Sequence, residues 1–394
     1  MSTRLSIICI WVCFITLLVL GIMMVASTGL CAPVGEKGDP MDFLIKQSGF
    51  VLSAASLINK PQPLALGLTA ALVMSAVDYH FLRNWIRTMW VVLVILLICC
   101  FLPIIGMNLN GENRWINLGF ISFQPSELAK SVLMICLAHW YTTHREMAGT
   151  FWRGFVLPGI IFGVPLLLIL VEKDMGTAAA LAVSGFCVMY VAGVRGWILA
   201  LCILLGAMVL YDQATGSPNR LERIFAWMDP EGYSQGAGRQ QWISILAFAR
   251  GGLFGVGLGD GIEKFGNLPF AHTDFIFAEI GEEWGLVGSA GVLLLFTILT
   301  LAGIVLALQT NDTFGRLLAT GLVCTIFWPA MLNMMVVTSL LPNSGLPLPF
   351  ISYGGTNLVF TIFAIGLLTS IQRHTPNKRE TYWPTRRLRE NSKL

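Results

Sequence analysis

The chain has 394 residues, 55% hydrophobic and only 12% charged, with a net charge of +3. A soluble domain carries about a quarter charged residues, so most of this surface does not face water. No clustered basic face is present, which argues against a nucleic-acid partner. Mean hydropathy of +0.72 agrees with a membrane protein. Of nine cysteines, eight fall inside apolar runs and Cys31 lies near an aqueous edge. None has metal-ligand spacing, and all read as small apolar packers.

A spanning helix needs about 20 apolar residues. In chain order the candidates are 6–30, 50–79, 86–106, 125–143, 152–171, 176–194, 197–212, 276–308, 315–341 and 355–372. The first is long enough to span and lacks a small-residue cleavage site, so it reads as a helix and not a signal peptide. The fifth holds Pro158 and Pro165, which predict a kink. The expected fold is an all-α polytopic membrane protein of about ten transmembrane helices, with a large extracytoplasmic loop, residues 213–275, between the seventh and eighth. A single integral-membrane domain covers 1–372, and 373–394 forms a basic cytoplasmic tail.

Orientation follows from Lys and Arg in short loops. Arg83, Arg87, Arg145, Arg153, Arg195 and Arg316 fall on one side, together with the basic tail. That side is the cytoplasm, and an even number of spans puts both termini there. The opposite loops hold Gly111 to Trp115, Phe123 to Glu127, an uncharged run from Pro342 to Asn357, and the long loop with Arg220, Arg223, Arg239, Arg250 and Lys264.

Asp274 sits at the outer mouth of the bundle, where an ionisable residue is a functional candidate. The bland alternative is an N-cap for the eighth span. Glu279, Glu282 and Glu283 follow; Glu282 lies within a quadrant of Asp274 and Glu283 points nearly opposite. Solvation or dipole complementation accounts for at least one of them. Pro125 fits the first position of the fourth span and Glu127 the third. Lys130 follows on the same side, and such a pair inside a bundle is costly without a purpose. The glycine-rich run Gly255 to Gly261 lacks the strand and helix of a nucleotide loop and reads as a tight re-entrant bend, whose N–H groups are candidates for holding an anion. His272 beside Asp274 is an acid–base or metal pair only if further ligands exist, and none stands at metal spacing.

At these loops the chain resembles the SEDS family of lipid-linked cell-wall polymerases. The matching runs are Asn113-Arg114-Trp115, Gln124 to Lys130, Asp174-Met175-Gly176-Thr177, His272 to Ala278, Gly281 to Gly285, and Pro349 to Gly355. Ala247 to Gly252 and the spacing from Gly257 to His272 look more like the FtsW branch; Pro347 to Phe350 looks more like RodA. The chain departs from the family pattern at Lys173, Phe270 and Gln241-Trp242.

The resemblance implies a ten-helix peptidoglycan glycosyltransferase acting on lipid II at the outer face of the bacterial cytoplasmic (inner) membrane, in septal synthesis. It marks Asp274 and Lys130 as catalytic. Arg114, Glu127, Arg223, His272, Thr273, Glu282, Ser352 and Gly355 are the expected substrate-binding residues. No metal ligands are assigned; a divalent cation, Mg or Mn, suits the pyrophosphate chemistry. The partners implied are lipid II, the growing glycan strand, a class B penicillin-binding protein and other divisome proteins. The rival readings are a lipid II flippase, a RodA-like elongation polymerase and a scaffold for a transpeptidase. Fold alone does not separate them.

Overall fold

The computed structural model describes residues 3–29, 63–103, 105–109, 112–117, 122–216, 218–264, 268 and 272–375. Expectations placed on 30–62, on Gly111, on Phe270 and on the tail beyond 375 lie outside these. The helices are α1 (Thr3–Gly29), α2 (Pro63–Ala76), α3 (Ile86–Cys99), α4 (Pro125–Thr143), α5 (Leu157–Val171) and α6 (Met175–Ala192). After them come α7 (Gly196–Thr215), α8 (Pro218–Met228), α9 (Arg239–Gly251), α10 (Ile276–Gln309), α11 (Thr313–Val337) and α12 (Gly355–His374). Every expected span contains a helix. Seven of the described helical stretches are long and apolar enough to cross a membrane, and α2 and part of α7 are shorter apolar helices.

α11 is the central post, touching α4, α6, α9, α10 and α12. α4 is enclosed by α3, α5, α6, α11 and α12, so it buries Glu127 and Lys130 with its apolar residues. Lipid-facing stripes remain outside: Ile8, Val12, Ile15 and Val19 on α1, and Leu294, Leu301 and Leu308 on α10, are exposed. Small residues bring backbones together where helices must touch closely. A methyl at Gly366 of α12 would lie 2.5 Å from the Ala71 Cα of α2.

The structure adds three features to these expectations. In the loop between the third and fourth spans, β1 (Gly106–Leu109), β2 (Glu112–Asn117) and β3 (Ser122–Phe123) form an antiparallel sheet. Strands of four, six and two residues are too short to show a period. The long loop carries two helices, α8 and α9, seated on the C-terminal end of α11. Trp227 Nε1 donates to Ser339 O at 2.9 Å, Gln241 Nε2 to Leu341 O at 2.9 Å, and Ser244 Oγ to Val337 O at 2.5 Å. Finally, Pro158 and Pro165 both fall within one helical stretch, Phe151–Val171, whose opening Phe151–Val156 is π-helical; the carbonyls of Arg153 and Gly154 before Pro158 accept from Trp140 Nε1 and the Tyr141 hydroxyl.

The molecule has two chemically distinct ends. At one, Tyr79 hydroxyl donates to Asp312 Oδ2 at 3.1 Å, His80 bridges Asp78 and Asp312, and Arg83 lies over the Phe314 ring. Arg373 and Ser370 of α12 bond the carbonyls of Ser75 and Val77 there. The sheet, α8, α9 and the residues around Asp274 occupy the other end.

Candidate functional site

α10 begins at Ile276, and its N-cap is Phe275, with no side-chain cap. Asp274 therefore precedes the cap position, and the capping alternative loses its geometry. The half-buried segment His272 to Asp274 is instead held from both flanks. Tyr353 N–H donates to His272 O at 2.9 Å, and Asn333 Nδ2 of α11 donates to Asp274 O at 2.7 Å. The same Nδ2 donates to Leu346 O at 2.6 Å. Gly345 has φ of +65°, and a methyl there would lie 3.5 Å from Asp274 Oδ2. The loop between α11 and α12 thus forms one wall beside the carboxylate. Ser352 shapes that loop by accepting the Leu348 N–H at 2.7 Å, and Gly355 opens α12 against Pro63.

Deeper in the bundle, Lys130 Nζ contacts both carboxylate oxygens of Glu127, at 2.8 and 2.9 Å. Asn357 Nδ2 donates to Glu127 Oε2 at 3.0 Å. Pro125 is at the first helical position, as its place in the sequence predicts, and both charged residues are buried. Lys130 shares a small cavity with Thr325 and Ile326 of α11. Asn333, which touches Asp274, lies two turns further out on that helix, ~10 Å along its axis. Lys130 therefore belongs to a layer below Asp274 and is engaged by Glu127.

Arg114 on β2 reaches the turn between α5 and α6. Its Nη2 donates to Lys173 O at 2.7 Å, and Nη1 lies 3.8 Å from Asp174 Oδ1. Asp174 caps α6 through the Thr177 N–H and accepts from Gln124 Nε2 and Ser126 Oγ. One carboxylate so ties β2, α4 and α6 together. Glu172 beside it is buried, next to the Cys100 thiol. Burial, and then the negative charge of Asp174, push its carboxyl up to about 8.

The glutamates heading α10 are all buried, which corrects the reading of any as solvated. Glu282 is not aimed at a ligand: its two oxygens accept the N–H groups of Ile262 and Glu263 at 2.9 and 3.2 Å. Glu283 Oε1 accepts from Lys264 Nζ at 2.6 Å and from Ser27 Oγ of α1 at 2.5 Å. Arg250 pairs with Glu263. The glycine-rich run does bend back on α10, but two of its N–H groups are spent there: Val256 and Gly257 donate to the Glu282 and Glu283 carbonyls. α10 breaks at Gly285, with φ of 66° and ψ of −160°, and the segment after α9 docks into that break.

Arg223 is exposed on α8, in the long loop between α7 and α10. Among the described residues, no group of three or more His, Cys, Asp or Glu side chains is arranged to hold a metal. The His272–Asp274 pair has no third such ligand among the described residues. An apolar groove of about 670 Å³ runs between α1 and α10, lined by Leu20, Met24, Ile280, Trp284, Val287 and Leu295.

Asn333 is an organising residue that the sequence reading left unmarked, and a buried amide in an apolar helix is the signal that finds it. Asn357, Gln241 and Lys264 were noted in the sequence, but not their partners, which come from other elements.

Comparison with known proteins places these features in a family. A family model described as a cell cycle protein, FtsW/RodA/SpoVE, matches residues 7–377. The probable peptidoglycan glycosyltransferase FtsW of Coxiella burnetii is 36% identical over 370 residues, covering 93% of this chain and 96% of that one. Among solved structures, a chain of a peptidoglycan synthase complex, in work on coordinated polymerization and crosslinking, is similar with a TM-score of 0.72 and 26% identity, over 91% of this chain and 96% of that one. The rod shape determining protein RodA of Thermus thermophilus is similar with a TM-score of 0.66 and 26% identity, over 93% of this chain and 96% of that one. Matched along nearly its whole length in sequence and in fold, this multi-pass membrane protein belongs to the FtsW/RodA/SpoVE family.

Proposed function

We propose that the chain is a peptidoglycan glycosyltransferase that polymerises lipid II at the outer face of the bacterial inner membrane, with both termini in the cytoplasm. The observation that carries this reading is Asp274: a half-buried carboxylate at one mouth of the bundle, outside any helix cap, with its main chain fixed from two directions. Sugar transfer from a lipid pyrophosphate needs one base. The acceptor hydroxyl oxygen forms a bond to the anomeric carbon as the bond from that carbon to the pyrophosphate oxygen breaks. The pyrophosphate leaves with the electron pair, and the hydroxyl proton passes to Asp274. A single displacement needs no second catalytic carboxylate.

The leaving group needs positive charge. Exposed Arg223 on α8 meets its phosphates, while Glu127 and Asp174 keep Lys130 and Arg114 in fixed places as sources of positive field. His272 and Thr273 line the acceptor side of Asp274. The groove between α1 and α10 takes the polyprenyl chain, being apolar and open towards lipid. The identity to an FtsW relative supports a role in septal wall synthesis, with other divisome proteins. The likeness to a chain of a synthase complex supports a transpeptidase partner of the class B penicillin-binding type.

The test is polymerisation of purified lipid II by reconstituted protein. Asp274→Asn keeps shape and folding but removes the base, and product formation should fall about 100- to 10,000-fold. Near-normal glycan synthesis by this folded variant would refute Asp274 as the base, whereas no glycan from the wild-type protein would return the flippase reading to first place.

A further inference from the structure

The backbone around Asp274 is fixed by a side chain that none of the sequence motifs pointed to. We propose that Asn333 is a positioning residue for glycosyl transfer, holding Asp274 and the loop between α11 and α12 as one unit; this rests on Asp274 being the base.

The geometry is specific. Asn333 stands on α11, the central helix, and is buried. Its Nδ2 donates to Asp274 O at 2.7 Å and to Leu346 O at 2.6 Å. A carbonyl held in one direction fixes its peptide plane. Asn333 fixes the plane after Asp274, and the Tyr353 N–H on His272 O fixes the plane before Thr273. Between them these planes set where the Asp274 Cβ points. The Leu346 bond sets the far wall in the same stroke, because Gly345, next to Leu346, is the residue facing Asp274 Oδ2. Carboxylate and wall are therefore referenced to one amide on the central helix α11.

The amide also carries a cost. Asn333 Oδ1 is buried with no hydrogen-bond partner among the described residues. An unpaired buried acceptor destabilises a fold, so packing alone does not account for this side chain. Its two donated bonds do, and both end at the mouth where Asp274 lies. A base displaced by about 1 Å loses about 100-fold in rate through lost alignment, without loss of substrate affinity.

Kinetics of reconstituted Asn333→Leu, Asp274→Asn and the double variant test this, with lipid II binding and thermal unfolding measured alongside. Asn333→Leu should lower kcat about 10- to 100-fold with KM changed less than about threefold. In the Asp274→Asn background it should add no further loss, since a residue acting through the base has nothing left to position. Should Asn333→Leu fail to fold, Asn333→Ser retains one donor and should give an intermediate kcat. An unchanged kcat in the folded variant overturns the proposal, as does a loss that multiplies in the double variant. An active Asp274→Asn protein would instead refute the base assignment itself, whatever Asn333 does.

Discussion

Two buried carboxylates show how local chemistry decides a residue's role here. Glu127 is fully engaged by Lys130 and Asn357. Removing one partner of a buried pair leaves an uncompensated charge and costs about 3–5 kcal/mol, whereas removing both is far milder. Lys130→Met should therefore lower the unfolding temperature in detergent strongly, and Glu127→Gln added to it should recover most of the loss. Equal stability of the single and double variants would contradict a coupled pair. Glu172 is the opposite case, a carboxyl raised to about 8 by burial and by Asp174. Between its unfolded value of about 4.5 and about 8, the native state binds the proton that the unfolded state has released. Its contribution to stability is therefore complete below that window and is lost as pH rises through it. Wild-type unfolding temperature should fall from pH 5 to pH 8, about the limits of that window, and Glu172→Gln should flatten the fall. A slope unchanged in Glu172→Gln would assign the effect to other groups.

At the scale of elements, α10 does two jobs on either side of Gly285. Its first two turns belong to the outer loop, through Glu282 on the Ile262 and Glu263 amides and Glu283 on Lys264. Its remainder is a lipid-facing span. A side chain at Gly285 would need a backbone region open almost only to glycine, costing about 1–3 kcal/mol. Its Cβ would also lie 2.4 Å from Gly255 N and 2.6 Å from Leu253 O. Gly285→Ala should release the 252–264 segment, read as faster proteolysis of that segment with the other spans intact. Protection equal to wild type would show that the break is not what seats it.

This element also marks the limit of what the sequence discloses. The spans were legible because a run of apolar residues is a strong local signal. So was the Glu127–Lys130 pair, since three residues apart on a helix means contact. The break at Gly285 was hidden inside one expected span, residues 276–308. The partners of Glu283 were hidden by distance, Ser27 being 256 residues away along the chain. Pairings of that kind depend on how whole helices pack, and no local pattern encodes them. Asn333 was missed in the same way: its amide is visible, but its two acceptors become neighbours only when α11, α10 and the 342–354 loop meet.

For the whole molecule, the decisive property is that Asp274 and a second polar cluster rich in arginine lie at opposite ends. The clasp of Tyr79, His80 and Asp312 lies with Arg83, Arg316 and Arg373 at one end, joined by the C-terminal part of α12. Trp11 of α1 donates to Thr369 of the same helix, which places the early part of α1 in that half too. Asp274, the sheet, α8 and α9 stand at the other end. In the proposed topology short basic loops are retained in the cytoplasm, which would turn the first end inward and Asp274 toward the outer leaflet. Long loops translocate regardless of charge, so the arginines of α8 and α9 do not oppose this. In a background with Cys31 replaced by Ser, a thiol introduced by Gln235→Cys, in the exposed turn between α8 and α9, should react with an impermeant maleimide in intact cells. Glu380→Cys in the basic tail should react only after the membrane is opened. Labelling of Glu380→Cys from outside would invert the topology, put Asp274 on the cytoplasmic side, and remove outer-face polymerisation as the function of this site.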